Sequence, residues 1–329
     1  MAKEAVLQQL QQAADCLSGE EMAQSLGISR AAVWKDIEAL RREGYEIESL
    51  SGRGYRLRSA PDVLTRAAVL ARLGAHPWAG QVQVLATVDS TNSALKRMAA
   101  DGAPGGTVLM ADTQTGGRGR LGRSFVSPPG LGLYLSVLLR PKAQAAAVTH
   151  ATLRAGLAVA DAIEEVTGLR PGIKWPNDLV AQGRKLCGIL SEMGVEAESG
   201  QLDWLVIGIG INCGHLPEDF PPELRTTATS LRQWSGQPVA RATLAAALIR
   251  QLAQLEDDLT QPERYLPRYR ADCVTVGQRV RVLRAGSSLE AVATGVADDG
   301  GLEIQLDDGS RQVVSSGEVS VRGLFGYEG

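Results

Sequence analysis

The chain has 329 residues, of which 44% are hydrophobic and 22% charged, and its formal net charge is -3. That length favours two or three separate cores over one domain, and the slight acidity excludes a protein that coats nucleic acid through overall positive charge. Any contact with DNA must therefore be local.

The opening residues carry no apolar core of the kind a secretory signal needs, and no run approaches the roughly 18 continuous apolar residues of a bilayer span. A soluble cytoplasmic protein without membrane contact is expected. Cys16, Cys187, Cys213 and Cys273 form no CxxC pair, and His76, His150 and His215 are equally dispersed. Reduced, mostly buried thiols are expected rather than a disulfide framework or a zinc site.

In chain order, Leu7, Leu10, Ala14 and Leu17 fall at helical spacing, and Ser18-Gly19 breaks that helix before a second one from Glu20 to Leu26. After a turn at Gly27-Ile28-Ser29, Ser29 is placed to cap a third helix with Val33, Ile37 and Leu40 inward and Gly44 at its end. Tyr45 to Leu50 and Tyr55 to Arg58 read as two strands joined by Ser51-Gly52-Arg53-Gly54. Helix, helix, turn, helix and hairpin is the order of a winged helix-turn-helix. A helix of this width fits the major groove, and wing arginines Arg53, Arg56 and Arg58 can meet phosphates. Ser29, Arg30, Lys35, Arg53 and Arg56 are the candidate DNA-binding residues. The competing reading is a helical interaction module, since acids balance bases over this segment. Trp34 suits either a base edge or packing on a neighbouring helix.

Ser59-Ala60-Pro61-Asp62 reads as a linker. Beyond it, an apolar run to Val88 leads to a cap at Asp89-Ser90-Thr91 and a helix to about Ala100. Strands follow near Thr107–Ala111 and Leu133–Leu139, then a long alanine-rich helix from about Ala145 to Val166. Further strands are expected at Gly172–Lys174, Leu179–Ala181, Lys185–Met193 and Trp204–Ile211, and a helix at Thr243–Leu259. Strands and helices do not alternate one for one, so an α+β fold with a mostly antiparallel mixed sheet fits best. From Val274 the pattern changes to about five short alternating strands, separated by turns at Ala285-Gly286-Ser287, Asp298-Asp299-Gly300-Gly301 and Asp307-Asp308-Gly309, which implies a small barrel. The domain limits read as 1–60, 63–272 and 274–329.

Three segments carry chemistry. Gly116-Gly117-Arg118-Gly119-Arg120-Leu121-Gly122-Arg123 alternates bare backbone with guanidinium forks, a combination suited to cradling carboxylate or phosphate; the bland reading is a solvated basic loop. It lacks the Gly-Lys-Ser/Thr ending of a phosphate-binding loop of the Walker type. Lys174-Trp175-Pro176-Asn177-Asp178, followed by Gly183-Arg184-Lys185-Leu186-Cys187-Gly188, places oxygen ligands useful to Mg²⁺ at a strand end and a compact cation beside them. Gly208-Ile209-Gly210-Ile211-Asn212 is a buried strand whose glycines admit either a ligand or a close-packed neighbour.

Together with Asp89-Ser90-Thr91-Asn92 and Gln114, these motifs resemble the biotin protein ligase family in order and spacing. Gly27-Ile28-Ser29-Arg30-Ala31-Ala32-Val33 with the basic wing is similar to the bifunctional members that also repress biotin genes, and the terminal barrel, with Gly317-Glu318-Val319-Ser320-Val321-Arg322, fits as well. The resemblance implies a winged helix-turn-helix, a class II synthetase-like mixed-sheet catalytic domain and a small SH3-like β-barrel. It implies ATP-dependent biotinylation of a carrier-protein lysine through biotinyl-5′-AMP, together with operator binding.

By the same resemblance Ser90, Thr91, Asn92, Gln114, Arg118, Gly119, Arg120, Lys185, Gly188, Gly208 and Gly210 surround biotin. Lys185, Arg118 and Arg120 serve catalysis. Arg123, Asn177, Asp178, Asn212 and Arg322 serve the ATP region, with Mg²⁺ held through Asn177, Asp178 and Asn212. Where the family usually has tryptophan after the arginine loop, this chain has Phe125, which keeps apolar stacking and lacks the indole N–H. The implied partners are a biotin carboxyl carrier protein, operator DNA and, with adenylate bound, a second copy of the chain. Two other readings stay open: a lipoate or octanoate ligase on the same fold, and a DNA-binding biotin sensor without catalysis.

Overall fold

The computed structural model describes residues 2–13, 15–42, 45–50, 52–59, 62–196, 198–259, 261–284, 287–315 and 320–323. They fall into two compact units, Met1–Val63 and Leu64–Gly329.

In the first unit, α1 (Ala2–Gln12), α2 (Gly19–Leu26) and α3 (Arg30–Arg42) precede an antiparallel hairpin of β1 (Glu46–Leu50) and β2 (Gly54–Ser59). Ser18 and Glu21 form a reciprocal cap at the start of α2: the Ser18 hydroxyl accepts from the Glu21 amide at 3.1 Å and the Glu21 carboxylate accepts from the Ser18 amide at 2.9 Å. Gly27 ends α2 in the left-handed region, and Ser29 Oγ caps α3 by accepting from Ala32 N at 3.2 Å. Val6, Leu10, Met22, Val33, Ile37, Leu40 and Ile47 make the core.

The structure corrects the reading of the first helix. It stops at Gln12 and buries Val6 and Leu10, while Leu17 pairs with Tyr55 of β2 through two backbone hydrogen bonds of 2.9 Å. Gly54 is needed at that crossing, because at its φ of 105° a Cβ would collide with the backbone of Leu17 and Ser18. Trp34 is 57% exposed, so it does not pack on a neighbouring helix. Ala14, Gly44, Ala60 and Pro61 lie outside the described residues.

The second unit runs α4 (Arg66–Leu73), β3 (Val82–Val88), α5 (Thr91–Ala100), β4 (Thr107–Gln114), β5 (Gly132–Leu139), α6 (Ala147–Thr167), β6 (Gly172–Lys174), β7 (Asp178–Ala181), β8 (Arg184–Val195) and β9 (Leu202–Asn212). Then come α7 (Leu231–Ser235), α8 (Arg241–Leu252), α9 (Leu255–Asp258) and α10 (Leu266–Asp272). Among the described residues the large sheet has the order β3-β4-β5-β9-β8-β7-β6, parallel between β3 and β4 and antiparallel elsewhere. The expected helix Thr243–Leu259 is two helices, α8 and α9, with Ala253 and Gln254 between them. Helices α4 and α10 carry too short an apolar pattern to announce themselves in the sequence.

The period of two explains the layers. Leu133, Leu135, Val137 and Leu139 of β5 share a core with Ile207, Ile209 and Ile211 of β9 and with buried residues of α6 and α8. The opposite face carries Leu109, Leu138 and Val206 beneath Leu95 and Ala99 of α5. On that same face, toward the amino-terminal end of α5, the register sets Ser136 and Leu190 on either side of Gly208, and Tyr134 and Gly188 on either side of Gly210. Isoleucine on one side and glycine on the other leaves a hollow above the middle of the sheet.

The last segment forms β10 (Arg279–Arg284), β11 (Ser287–Val296), β12 (Leu302–Gln305), β13 (Arg311–Val314) and β14 (Ser320–Gly323), an antiparallel sheet in the order β13-β12-β11-β10-β14. Trp175, 1% exposed, is tied to this sheet: its amide donates to Thr275 Oγ1 at 2.9 Å and its indole N–H to the Gly300 carbonyl at 3.0 Å. The Trp175-Pro176 peptide is cis, turning the chain from β6 into β7. Ala285, Gly286, Gly317, Glu318 and Val319 lie outside the described residues.

Candidate active site

The hollow over Gly208 and Gly210 is a cavity of about 480 Å³ lined by Ser90, Thr91, Asn92, Gln114, Arg118, Gly119, Arg120, Phe125, Asn177, Lys185, Gly188, Gly208 and Gly210, among others. Residues named around biotin from separate stretches of sequence thus share one cavity. Its floor is polar and tightly bonded. Gln114 Oε1 accepts from the Thr91 amide at 2.8 Å and lies 3.1 Å from the Thr91 hydroxyl, while Gln114 Nε2 donates to Ser127 Oγ at 3.0 Å. Ser136 Oγ lies 2.7 Å from both Thr91 Oγ1 and Asn92 Oδ1. Ser90 faces the same cavity and caps α5, its hydroxyl accepting from Ser93 N at 3.4 Å.

The choice left open for the two glycines is decided by their neighbours. A Cβ on Gly208 would overlap the Asn92 amide, and one on Gly210 would meet the Phe125 ring at 2.6 Å. Both glycines let a side chain lie flat on the strand, and those side chains in turn wall the cavity.

The glycine-arginine loop folds back on itself. Gly119 N donates to Arg123 O at 2.7 Å, Phe125 N donates to Gly117 O at 2.9 Å, and Leu121 and Gly122 both take positive φ, at 54° and 75°. This turn carries Arg120 across to the Asn177 motif, where its Nη1 donates to Asn177 Oδ1 at 3.0 Å. Burial lowers the Arg120 guanidinium from its usual value, the Asp178 charge opposes that and Arg123 adds to it; an arginine remains cationic through such a shift. Lys185 Nζ lies 2.9 Å from Asp178 Oδ1, which also accepts from Asn177 Nδ2 at 3.2 Å.

Of the further cavities beside the first, two adjoin Lys185. One, of about 630 Å³, is bounded by Arg120, Arg123, Phe125, Lys174, Asn177, Asp178 and Lys185. The other, of about 780 Å³ and mostly apolar, is bounded by Arg123, Phe125, Lys185, Asn212, Phe220, Leu224, Thr227 and Ala228. Lys185 and Phe125 border all three cavities. Asn212 lines only the apolar one and is buried there, its Nδ2 donating to Thr229 O at 3.0 Å. Asn177 and Asp178 border the second cavity and Asn212 the third, and Lys185 borders both. Arg322 sits on β14 opposite Arg281, and its side chain lies outside the described residues.

Sequence reading missed Ser136, Ser127 and Glu192, which bond to residues lining the first cavity, and Phe220, Leu224, Thr227 and Ala228 around the third. The alternation of Ser136 with apolar Leu135 and Val137 in a buried strand was the one available signal. Loop residues 220–228 carried none, because they reach the site only through pairing of Lys185 with Thr227 and Thr229.

On the first unit, Ser29, Arg30, Ala31, Trp34 and Lys35 share an exposed face of α3. Arg30 lies 3.3 Å from Glu20, and the wing arginines Arg53 and Arg56 both pair with Asp15, Arg53 at 2.7 Å.

Family models match three consecutive parts of the chain: an HTH domain at residues 3–56, the biotin/lipoate A/B protein ligase family at 84–212, and the biotin protein ligase C terminal domain at 275–322. The bifunctional ligase/repressor BirA of Bacillus subtilis (strain 168) is 35% identical over 304 residues, covering 91% of this chain and 92% of the relative. That of Escherichia coli (strain K12) is 33% identical over 311 residues, with 93% and 92% covered. The biotin protein ligase from Aquifex aeolicus in complex with biotin and ATP superposes with a TM-score of 0.64 at 30% identity, over 74% of this chain and 99% of its own. The chain belongs to the biotin protein ligase family, in the bifunctional group that joins a helix-turn-helix to the ligase. Among the described residues, no helix is long and apolar enough to cross a membrane.

Proposed function

We propose that this chain activates biotin with ATP, transfers it to a lysine of a biotin carboxyl carrier protein, and uses its amino-terminal unit to repress transcription from operator DNA in the cytoplasm. The observation that carries the ligase reading is the place of Lys185 at the junction of the three cavities. A carboxylate held in the first cavity and a nucleotide in the other two would meet at its ammonium group.

Biotin's carboxylate attacks the α-phosphorus of ATP, the bond to the β-phosphate oxygen breaks, and pyrophosphate leaves with biotinyl-5′-AMP behind. The carrier amine then attacks the acyl carbon, and AMP departs. Neither step needs a nucleophilic side chain. What the protein supplies is cationic charge from Lys185, Arg118, Arg120 and Arg123 where negative charge redistributes, and a loop that keeps water from the anhydride. Phe125 and the apolar wall of Phe220, Leu224 and Ala228 suit a purine ring. Magnesium delivered with the phosphates would meet one carboxylate, Asp178, and the amide oxygen of Asn177. That modest set suits an ion that completes its octahedron with phosphate and water.

The polar floor also favours biotin over lipoate. A ureido ring can add hydrogen bonds to the polar side chains of Thr91, Asn92 and Gln114, whereas a dithiolane offers no comparable donor or acceptor. The test is to incubate the purified chain with biotin, ATP-Mg²⁺ and a carrier domain and take the intact mass of both proteins. Biotin-sized mass on the carrier supports the reading; a carrier labelled only with lipoate, or not at all, overturns it.

For repression, the exposed α3 face enters the major groove and the wing meets phosphates, with two half-sites bound by a dimer. Adenylate held under the glycine-arginine loop orders it and favours the dimer, so the intermediate acts as corepressor when carrier is scarce. Sedimentation and operator binding of the free, biotin-bound and adenylate-bound protein at fixed salt decide this. Equal dimerisation and DNA affinity in all three states would remove the coupling.

A further inference from the structure

Glu192 has no part in the chemistry above, yet it joins the floor of the biotin cavity to its loop. It lies on β8, two residues beyond Leu190 and so on the same face. Asn92, at the start of α5, turns its Nδ2 toward that strand and donates both protons, one to the Leu190 carbonyl at 3.1 Å and one to Glu192 Oε2 at 2.9 Å. Glu192 Oε1 accepts from Lys96 Nζ at 2.5 Å and lies 3.9 Å from Arg118 Nη1.

An asparagine amide is nearly symmetrical in shape, so only its partners decide which end is which. Asn92 is 3% exposed and pressed onto Gly208, with Oδ1 held 2.7 Å from Ser136 Oγ. A serine hydroxyl can donate or accept, so it would tolerate either orientation. The Leu190 carbonyl and the Glu192 carboxylate only accept, and they alone exclude the flipped form. Burial opposes ionisation of Glu192, but the hydrogen bonds from Lys96 and Asn92 and the charges of Lys96 and Arg118 outweigh it and hold the carboxyl below its ordinary value. It stays an acceptor at neutral pH.

We infer that Glu192 is a positioning residue for biotin binding: it locks Asn92 with the amide oxygen as its acceptor beside the ligand. The inference rests on the ligase reading. It assigns the acceptor that a ureido N–H needs.

The test uses the full chain. Titration calorimetry with biotin alone reads the cavity without nucleotide, and biotin-dependent pyrophosphate exchange at saturating biotin reads the chemical step. Glu192→Leu, which removes the carboxylate and leaves Asn92 Nδ2 only the Leu190 carbonyl, is expected to raise the biotin Kd about tenfold or more, the value of one hydrogen bond to a charged group. The rate at saturating biotin and the KM for ATP should stay within about threefold, since only binding is at stake. Glu192→Gln keeps one acceptor and should raise the Kd less. Lys96→Met leaves both acceptors on Asn92 and should bind biotin like the parent.

Parent-like biotin binding in both Glu192 variants overturns the inference. So does a Lys96→Met defect equal to that of Glu192→Leu, or a parallel loss of rate and of both affinities, each of which marks a merely structural role. Should Glu192→Leu fail to fold, Glu192→Gln and Lys96→Met decide the question. A parent chain that binds no biotin overturns the ligase reading and the inference with it.

Discussion

The Asn92 side chain lies so close over Gly208 that any Cβ at position 208 would overlap its amide. Gly208→Ala should therefore push Asn92 off the strand and break its bonds to Ser136 and Glu192 while leaving the backbone pairing of β8 and β9 intact. We expect a weaker biotin Kd by about tenfold to a hundredfold, from one or two disrupted polar contacts. Calorimetry with biotin, beside an unfolding curve, measures it. Parent-like affinity would show that the alanine is accommodated without moving Asn92.

Lys185 stands between Asp178 and the three cavities. Lys185→Gln removes the charge and leaves a polar side chain one atom shorter, so adenylate formation should fall by about a thousandfold, as when one preorganised electrostatic contact is lost. Biotin binding should remain detectable, since charge matters most as it redistributes in the transition state. Single-turnover assay of adenylate and biotin titration check the two halves separately.

Arg120 pins the loop to Asn177. In Arg120→Gly that tie is lost and the loop gains freedom, so adenylate should escape faster than it reacts with carrier. Rapid filtration should find more free adenylate than with the parent chain. An unchanged retention time would count against the loop as the retaining element.

His215 is 1% exposed and stacked on Phe220 at 4.8 Å. Burial lowers its pKa to about 4, with Asp219 and a backbone contact to Leu131 opposing the shift. The unfolded chain, titrating near the usual value of about 6.5, binds the proton more readily over that interval. Stability is therefore fully present above about pH 6.5 and declines as pH falls toward 4, by up to about 3 kcal/mol. Urea unfolding at pH 4.5 and 7 should show this loss in the parent, and His215→Phe should show less of it.

Asp15 holds both wing arginines. Exposed pairs of this kind contribute little to stability, so Asp15→Asn should fold normally and release positive charge to DNA. Operator affinity at moderate salt should rise about twofold to fivefold, the scale of an exposed pair, with a steeper salt dependence. Filter binding across a salt series reads both, and an unchanged slope would argue that the wing does not meet phosphate.

Much of this molecule was legible before any coordinates. The helix-turn-helix order, the strand pattern of the mixed sheet and the motifs around Ser90, Gln114, Arg118, Lys185 and Gly208 are local signals, written in caps, turns and periods of two and 3.6 that span a few residues each. What folding decided were relations between distant positions. Glu192 meets Asn92 across 100 residues, and nothing near either one announces the other. Asn212 ends β9 and Asn177 precedes β7, and only the packed sheet brings both to cavities that Lys185 borders. Gly208 and Gly210 signalled a close approach, and only the packed sheet could say that Asn92 and Phe125 make it. Trp34 and Leu17 went the other way: helical spacing places a residue on a face, but whether that face is covered depends on where the chain returns. Hydrogen bonds and apolar contacts act over a few ångströms, so a sequence displays the groups that can make them and the tertiary structure alone selects the pairs that do.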